Sequence, residues 1–473
     1  MTNDAEKAGG PTPAVASRRD RYARGKALRK ASPREKHGDF AGRHERDPVA
    51  ILAETDPSRI ARLLHIRYAR MTASPFAFLR GAAAVMAADL IGEPKAGAPV
   101  QGCGDCHLMN FGAFPSPEDN VLFDINDFDE TLPNVDFTFD LKRLAASVAV
   151  AAQAGGFSDR KARAVAASAA AAYRRHVQDL AVLSPLEIWH SRIDLPAQIA
   201  SFSDPRLSQK LRAMLMKVGP ELDRDDNFPH LVASSKGVAR IADRDETIFH
   251  LGAADSGVSI DAEKTFARYL STLSPERAAI LSRYALVDFA FKVVGVGSVG
   301  TFCAIGLFMS GDSEPLFLQI KEALHSVLER IAPSSAWTAD QGLRVVEGQR
   351  ILQAASDVFL GWVDDPATNR QFYVRQLKNR HLGSVSELLE GEALPAYARL
   401  CGRTLARAHA RSGDPAVIAG YLGKSEAFDD AMASFAMRYA KQTKQDHAAL
   451  VAARGVQPPA EKARKKQAAK PAA

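Results

Sequence analysis

The chain has 473 residues, with 61 lysines and arginines against 55 aspartates and glutamates, 46% hydrophobic residues and four cysteines. This composition excludes a collagen-like repeat, disorder throughout and a disulfide scaffold, and the length allows a large core and two to four units at roughly 100–200 residues each. The net charge of +6 sits at the ends: residues 17–47 hold eleven basic and five acidic side chains, residues 461–473 hold five basic and one acidic, and the body 48–460 carries −3.

Residues 1–47 and 456–473 are short of large apolar side chains and are expected to be mobile basic tails. The opening twenty residues have no apolar segment of the secretory type, which predicts a cytoplasmic location. The apolar stretches Leu144–Ala154 and Ala164–Tyr173 fall short of the roughly 20 residues that span a bilayer, so no membrane helix is expected. Cys103, Cys106, Cys303 and Cys401 lack a second C-x-x-C or paired histidines and are read as free thiols.

From Pro48 to Leu90 apolar residues recur at intervals of three and four, predicting helices, with Ser74 capping one that begins at Pro75. A Gly-rich polar loop at 102–112 leads to a short strand at Val121-Leu122-Phe123 and an acid-rich loop at 124–130. Residues 136–283 read as mostly helical, with a loop-rich interval at 222–262. Between 285 and 380 the period shifts towards two. Strands are predicted at 289–294, 301–309, 316–321, 358–363 and 372–377, with a helical tract at 340–356 after the third. Helices return at 386–452.

The strongest chemical signal is Gly104-Asp105-Cys106-His107-Leu108-Met109-Asn110, followed by Ile125-Asn126-Asp127-Phe128-Asp129. Phosphoryl transfer from a magnesium nucleotide needs one carboxylate to orient the acceptor hydroxyl, plus an oxygen ligand and a second carboxylate for the metal. Asp105, Asn110 and Asp127 supply these. A second cluster, Gly295-Val296-Gly297-Ser298-Val299-Gly300, is a G-x-G-x-x-G between strands rather than at the opening of a helix, which suits a phosphate-covering hairpin tip. A hairpin with a glycine-rich tip resembles the kinase arrangement, which implies a lysine brought to the phosphates by the next strand, and Lys321 ends that strand here. Its acidic partner is expected to be Glu347 on the following helix, with Glu329 as competitor, and Glu322 points to the opposite face of the strand. In the kinase arrangement that this hairpin resembles, Tyr373–Lys378 would be the strand entering the hinge, where backbone groups meet adenine. Arg80 and the run Asp140–Arg143 read as buried ion pairs holding the catalytic loop, and His409, Arg411 and Asp414 as a packed or capping cluster. No G-x-S-x-G or H-E-x-x-H is present.

The 104–110 and 125–128 segments resemble the G-D-x-H-x-x-N and I-D-F elements of aminoglycoside-phosphotransferase-like kinases, with Asn126 inserted before Asp127. In such kinases the glycine loop and lysine come first, whereas here Asp105 precedes Gly295 by 190 residues. The resemblance therefore implies a circularly permuted chain, which folding tolerates when native termini lie close. The segment 71–81, the 104–112 and 123–130 blocks, 295–300, 317–323, 344–353 and 405–411 together resemble the bacterial family catalogued as domain of unknown function 2252, across most of 48–452.

These readings predict an α+β, kinase-like two-lobed fold in permuted order. Residues 48–284 are its helical large-lobe part, 285–380 a five-stranded antiparallel nucleotide-binding lobe and 381–455 the helices that complete the large lobe. The expected activity is ATP- and Mg²⁺-dependent phosphotransfer to a hydroxyl of a small molecule. Alternatives on the same scaffold are a nucleotide-binding pseudokinase or regulator and an adenylyl transferase. No membrane partner is expected, and no nucleic acid beyond weak contact by the basic tails.

Overall fold

The Ala-rich run that follows Asp136 contains no proline or glycine for eighteen residues and forms the helix Thr138–Ala154, buried from Thr138 to Ala152. Burial on every side makes it the axis of the larger core rather than a surface helix. In this computed structural model, which describes residues 16–42, 45–116, 120–201, 208–209, 212, 228, 230–235, 238–252, 260–377 and 393–455, it packs against Asp159–Leu180 and Ala427–Ala453. Helix Ala393–Ser412 lies along Asp159–Leu180, where Gly402 lets the two backbones close up. The chain is α+β: among the described residues this helical body adjoins twelve strands divided among four sheets.

Four short strands organise the candidate site. Strand β1 (Pro99–Gly102) pairs antiparallel with β4 (Leu132–Asp136), and β2 (Phe111–Pro115) with β3 (Val121–Ile125). Gly102 opposes Leu132 and Phe111 opposes Ile125. This register sets the loop 103–110 beside the loop 126–131, and the Asn126 N–H donates to the Asn110 carbonyl at 2.8 Å.

A hairpin, β5 (Val232–Ser235) with β6 (Val238–Ile241), precedes the main sheet. That sheet is antiparallel and has six strands where the alternation pattern predicts five. They are β7 (Ile248–Phe249), β8 (Tyr284–Lys292), β9 (Cys303–Ser310), β10 (Pro315–Glu322), β11 (Gly361–Asp365) and β12 (Arg370–Gln376), in spatial order β11-β12-β10-β9-β8-β7. The extra strand, β7, is two residues long, too short for a periodic signal, and exists through its pairing with Phe291 and Lys292. The intervening helix is Gln341–Leu352. Strand β8 starts five residues earlier than the alternation suggests because Tyr284 and Leu286 pair with Ser310 and Phe308, ahead of a bulge between Leu286 and Asp288.

Part of the expected basic N-terminal tail is ordered. Arg18–Leu28 is a helix packed on Pro415–Leu422, and Arg29 and Arg34 donate to the carbonyls of Tyr421 and Leu422 at 2.8 and 2.7 Å. Cations at these unpaired C-terminal carbonyls match the negative end of the helix dipole, so the basic residues there serve the fold. The C-terminal tail beyond Gly455, and Lys378, the last residue of the strand expected to enter a hinge, lie outside the described residues. The four cysteines are free and buried. Among the described residues no helix is long and apolar enough to cross a membrane.

Candidate active site

The helix Thr138–Ala154 grips the loop 103–110 with three residues spaced to share one face. Asp140 accepts from the Cys103 and Gly104 amides at 2.6 and 2.9 Å. Arg143 donates to Asp105 Oδ1 from Nε at 2.9 Å and from Nη2 at 2.7 Å, and Ser147 Oγ accepts from the Leu108 amide at 3.1 Å. Behind Asp140, His409 Nε2 lies 3.1 Å from its Oδ2, and the Tyr173 hydroxyl lies 2.8 Å from His409 Nδ1. His409 is thus packed and structural, while Asp414 caps the next helix at Ala416 and Val417. Gly104 has φ +91°, and a Cβ there would meet the Glu130 backbone oxygen at 2.6 Å, so the glycine before Asp105 is set by close approach of the two loops.

Asp105, Asn110 and Asp127 line one cavity of about 380 Å³ together with Gly295, Gly297 and Ser298. Asn110 Nδ2 donates to the Asp105 carbonyl at 2.6 Å, which leaves its Oδ1 as the free acceptor. Burial pushes the Asp127 carboxyl up, but Lys321 and Arg375 outweigh it and hold it below the usual aspartate range. His107 Nδ1 accepts from the Met109 amide at 3.2 Å, and burial pushes its pKa down to about 4, so the ring is neutral beside Asp105.

The glycine loop reaches the cavity because the helical segment before it clamps its two ends. Arg70 donates to the Gly295 carbonyl and Arg59 to the Val299 carbonyl, each at 2.6 Å, and the Gly300 carbonyl accepts from the Ile60 amide at 2.8 Å. Gly300 itself is in this anchor and does not line the cavity.

Lys321 lies behind the lining at 3% exposure, with Nζ 2.6 Å from Asp129 Oδ2; the Tyr373 hydroxyl donates to Asp129 Oδ1 at 2.6 Å. Burial alone would lower the Lys321 pKa, but Asp129, Tyr373 and Asp127 raise it well above the ordinary value, so it is an ammonium. Its partner is therefore Asp129, and neither Glu347 nor Glu329. Glu347 points outward and is exposed, and Glu329 faces His325 at 3.3 Å. The helix Gln341–Leu352 engages the acidic loop through the buried Arg344 instead. Arg344 donates to the carbonyls of Asp129 at 3.0 Å and Leu324 at 2.7 Å, and also to that of Thr131. Glu322 lines the cavity, and its Oε2 accepts from the Phe302 amide at 3.3 Å. Arg80 also departs from expectation: it lines the cavity and makes no ion pair among the described residues.

The sequence reading missed Asp129 and Glu130. The signal for Asp129 was present in Asp127-Phe128-Asp129, where residues two apart on an extended loop turn to one side. Glu130 lines the cavity and accepts from the Val327 amide at 2.7 Å; burial, reinforced by Asp129 and Asp105, pushes its carboxyl up to about 7. A carboxyl raised from 4.5 binds its proton more tightly in the folded chain, so its stabilising contribution is full below pH 4.5 and is lost as pH rises through about 7. Relative to Glu130→Gln, the wild type is expected to lose on the order of 2–3 kcal/mol between pH 4.5 and 8. Urea melts of both proteins at pH 5 and 8 check this, and parallel profiles would remove the raised carboxyl.

Fold and site together define an α+β protein whose charged cavity lies where the helical body meets the six-stranded sheet. A family model matches residues 59–453, and the chain belongs to that family, described as an uncharacterized protein conserved in bacteria (DUF2252). No curated protein and no solved structure matches the chain.

Proposed function

We propose that the protein is an ATP- and Mg²⁺-dependent phosphotransferase acting on a hydroxyl of a small molecule, with a kinase-like two-lobed arrangement in circularly permuted order. The observation that carries the reading is the single cavity lined by both motif clusters, Asp105, Asn110 and Asp127 on one side and Gly295, Gly297 and Ser298 on the other, although 190 residues separate Asp105 from Gly295. The order of strands and helix from β8 to β12 supports it, since three strands, one helix and two strands is the order of a small nucleotide-binding lobe.

In this reading Asp105 Oδ2 accepts the hydrogen of the acceptor hydroxyl, while Arg143 fixes Oδ1 and with it the plane of the carboxylate. Among the described residues no group of three His, Cys, Asp or Glu side chains is placed to hold a metal by itself. Magnesium suits the pair Asn110 Oδ1 and Asp127, because it keeps several waters and completes its shell with one or two protein oxygens and substrate phosphates. When bound it neutralises charge on the phosphates. The backbone of Gly295–Gly300 covers the phosphates from above, and Lys321 contributes positive charge from behind Asp129.

The test is an ATP-consumption screen over sugars, amino alcohols and aminoglycosides, in parallel with binding of Mg-ATP to the wild type and to Asp127→Ala. Turnover with one acceptor class and loss of Mg-ATP affinity in the variant are expected, and equal Mg-ATP binding by the two proteins would remove the metal role of Asp127. The engagement of Lys321 by Asp129 favours a second reading, a nucleotide-binding regulator. Tight ATP binding with no phosphoryl, adenylyl or hydrolytic product would select it. Adenylyl transfer is separated by the product mass, since AMP and phosphate additions differ.

A further inference from the structure

Three arginines from the segment 59–80 line the cavity wall, and two have partners. Arg67 donates to Asp56 at 2.6 Å, and Arg59 to the Val299 carbonyl at 2.6 Å. The side chain of Arg80, in the last turn of the helix Pro75–Gly81, makes no hydrogen bond or ion pair among the described residues, and its Nε is closed off from solvent without a partner. The charges that bear on it are the Asp105 carboxylate and the Arg70 guanidinium. Asp105 does not neutralise it, because Arg143 already donates twice to Asp105 Oδ1. One cation is therefore in excess beside the carboxylate proposed to orient the acceptor.

Its position narrows what could balance it. A Cβ on Gly297 would lie 3.4 Å from the Arg80 carbonyl oxygen and 3.7 Å from Gly81 Cα, so the tip of the glycine loop rests on the backbone at Arg80. The Arg80 side chain thus leaves that backbone at the seam between the loop and Asp105. A guanidinium withdrawn from water keeps its charge, and an oxygen anion of a ligand supplies what the protein does not: planar, paired acceptors for its N–H groups.

We propose that Arg80 is an oxyanion-binding residue of the cavity, placed to hold a phosphate or carboxylate of a ligand seated between the glycine loop and Asp105. The site itself stands on geometry. The identity of the anion rests on the phosphotransferase reading, which offers two sources, the terminal phosphate of the nucleotide or an acidic group on the acceptor.

The experiment is calorimetric titration of the full-length protein with Mg-ATP, Mg-ADP and inorganic phosphate, for the wild type, Arg80→Gln and Arg80→Lys, with thermal midpoints recorded for each. If the nucleotide is the source, Arg80→Gln weakens Mg-ATP by about tenfold or more and Mg-ADP far less. If the acceptor is the source, both nucleotides bind as in the wild type and inorganic phosphate loses about the same factor. Arg80→Lys keeps the charge without the fork and should fall between wild type and Arg80→Gln, which holds the test open if the glutamine variant unfolds. A wild type that binds inorganic phosphate through Arg80 but no nucleotide supports the anion site and overturns the phosphotransferase reading. Variants that match the wild type on all three probes, or a wild type that binds none, overturn the anion site; in the first case nucleotide binding stands.

Discussion

Replacing Asp105 by asparagine is expected to lower turnover by about a hundredfold or more while leaving Mg-ATP affinity close to that of the wild type. Asparagine keeps the size and one acceptor oxygen, so Arg143 retains a partner and the loop 103–110 keeps its ties to Asp140 and Ser147. What is lost is the carboxylate character of Asp105, whose second oxygen, Oδ2, lies 3.6 Å from His107 Nε2. The contrast decides between two roles for one carboxylate. A counter-ion for Arg143 would show its loss as stability, on the order of 1–3 kcal/mol for weakening a charged hydrogen bond, with turnover preserved. An acceptor-orienting base shows its loss as rate. Steady-state kinetics beside a urea melt separates them, and a variant with wild-type turnover and a lowered midpoint would make Asp105 a structural residue. Asp127→Ala should behave differently, losing Mg-ATP affinity first, because its carboxylate is the one proposed to hold the metal rather than the acceptor.

Features that depend on local chemistry were legible in the sequence. Ser74 caps the helix that starts at Pro75, accepting from the Ala77 amide at 3.1 Å, and β9, β10 and β12 fall within two residues of the alternating runs that announced them. The spacing of Asp105, Asn110 and Asp127 was sufficient to bring them to one cavity, because β1–β4 and β2–β3 pairing turns two adjacent loops to the same side. What was not legible depends on long-range packing. Lys321 could reach an acid on either neighbouring helix by sequence distance, and the choice of Asp129 follows from β10 lying over the 127–130 loop. Glu347 was an attractive partner because a helical acid often serves there, but the face of Gln341–Leu352 that turns inward carries Arg344 and leaves Glu347 in solvent. The helix Arg18–Leu28 was hidden for a similar reason: its apolar content is low, and only its fit against Pro415–Leu422 gives it a place.

Asp124→Ala is expected to be the most destabilising single change near the site, costing about 3–5 kcal/mol, and to cost at least about 1 kcal/mol more than Arg407→Leu. The two side chains form a pair at 2.6 Å with each about 1% exposed, three residues before Asp127, so they anchor the strand that carries the acidic loop. Their losses are unequal because their other partners differ. Without Arg407, Asp124 still accepts from the Ile125 and Ala354 amides, both at 2.9 Å, and leucine fills much of the vacated volume. Without Asp124, the buried guanidinium keeps a single bond, to the Leu352 carbonyl at 2.6 Å, while its Nε and Nη1 already have no hydrogen-bond partner. An uncompensated buried cation is then the dominant cost. Removing both charges should recover part of the loss of Asp124→Ala, since the double variant leaves neither ion stranded. Urea melts with unchanged m-values check the order, and a double variant less stable than Asp124→Ala, or an Arg407→Leu protein less stable than Asp124→Ala, would mean that the backbone amides do not hold the carboxylate as the geometry requires.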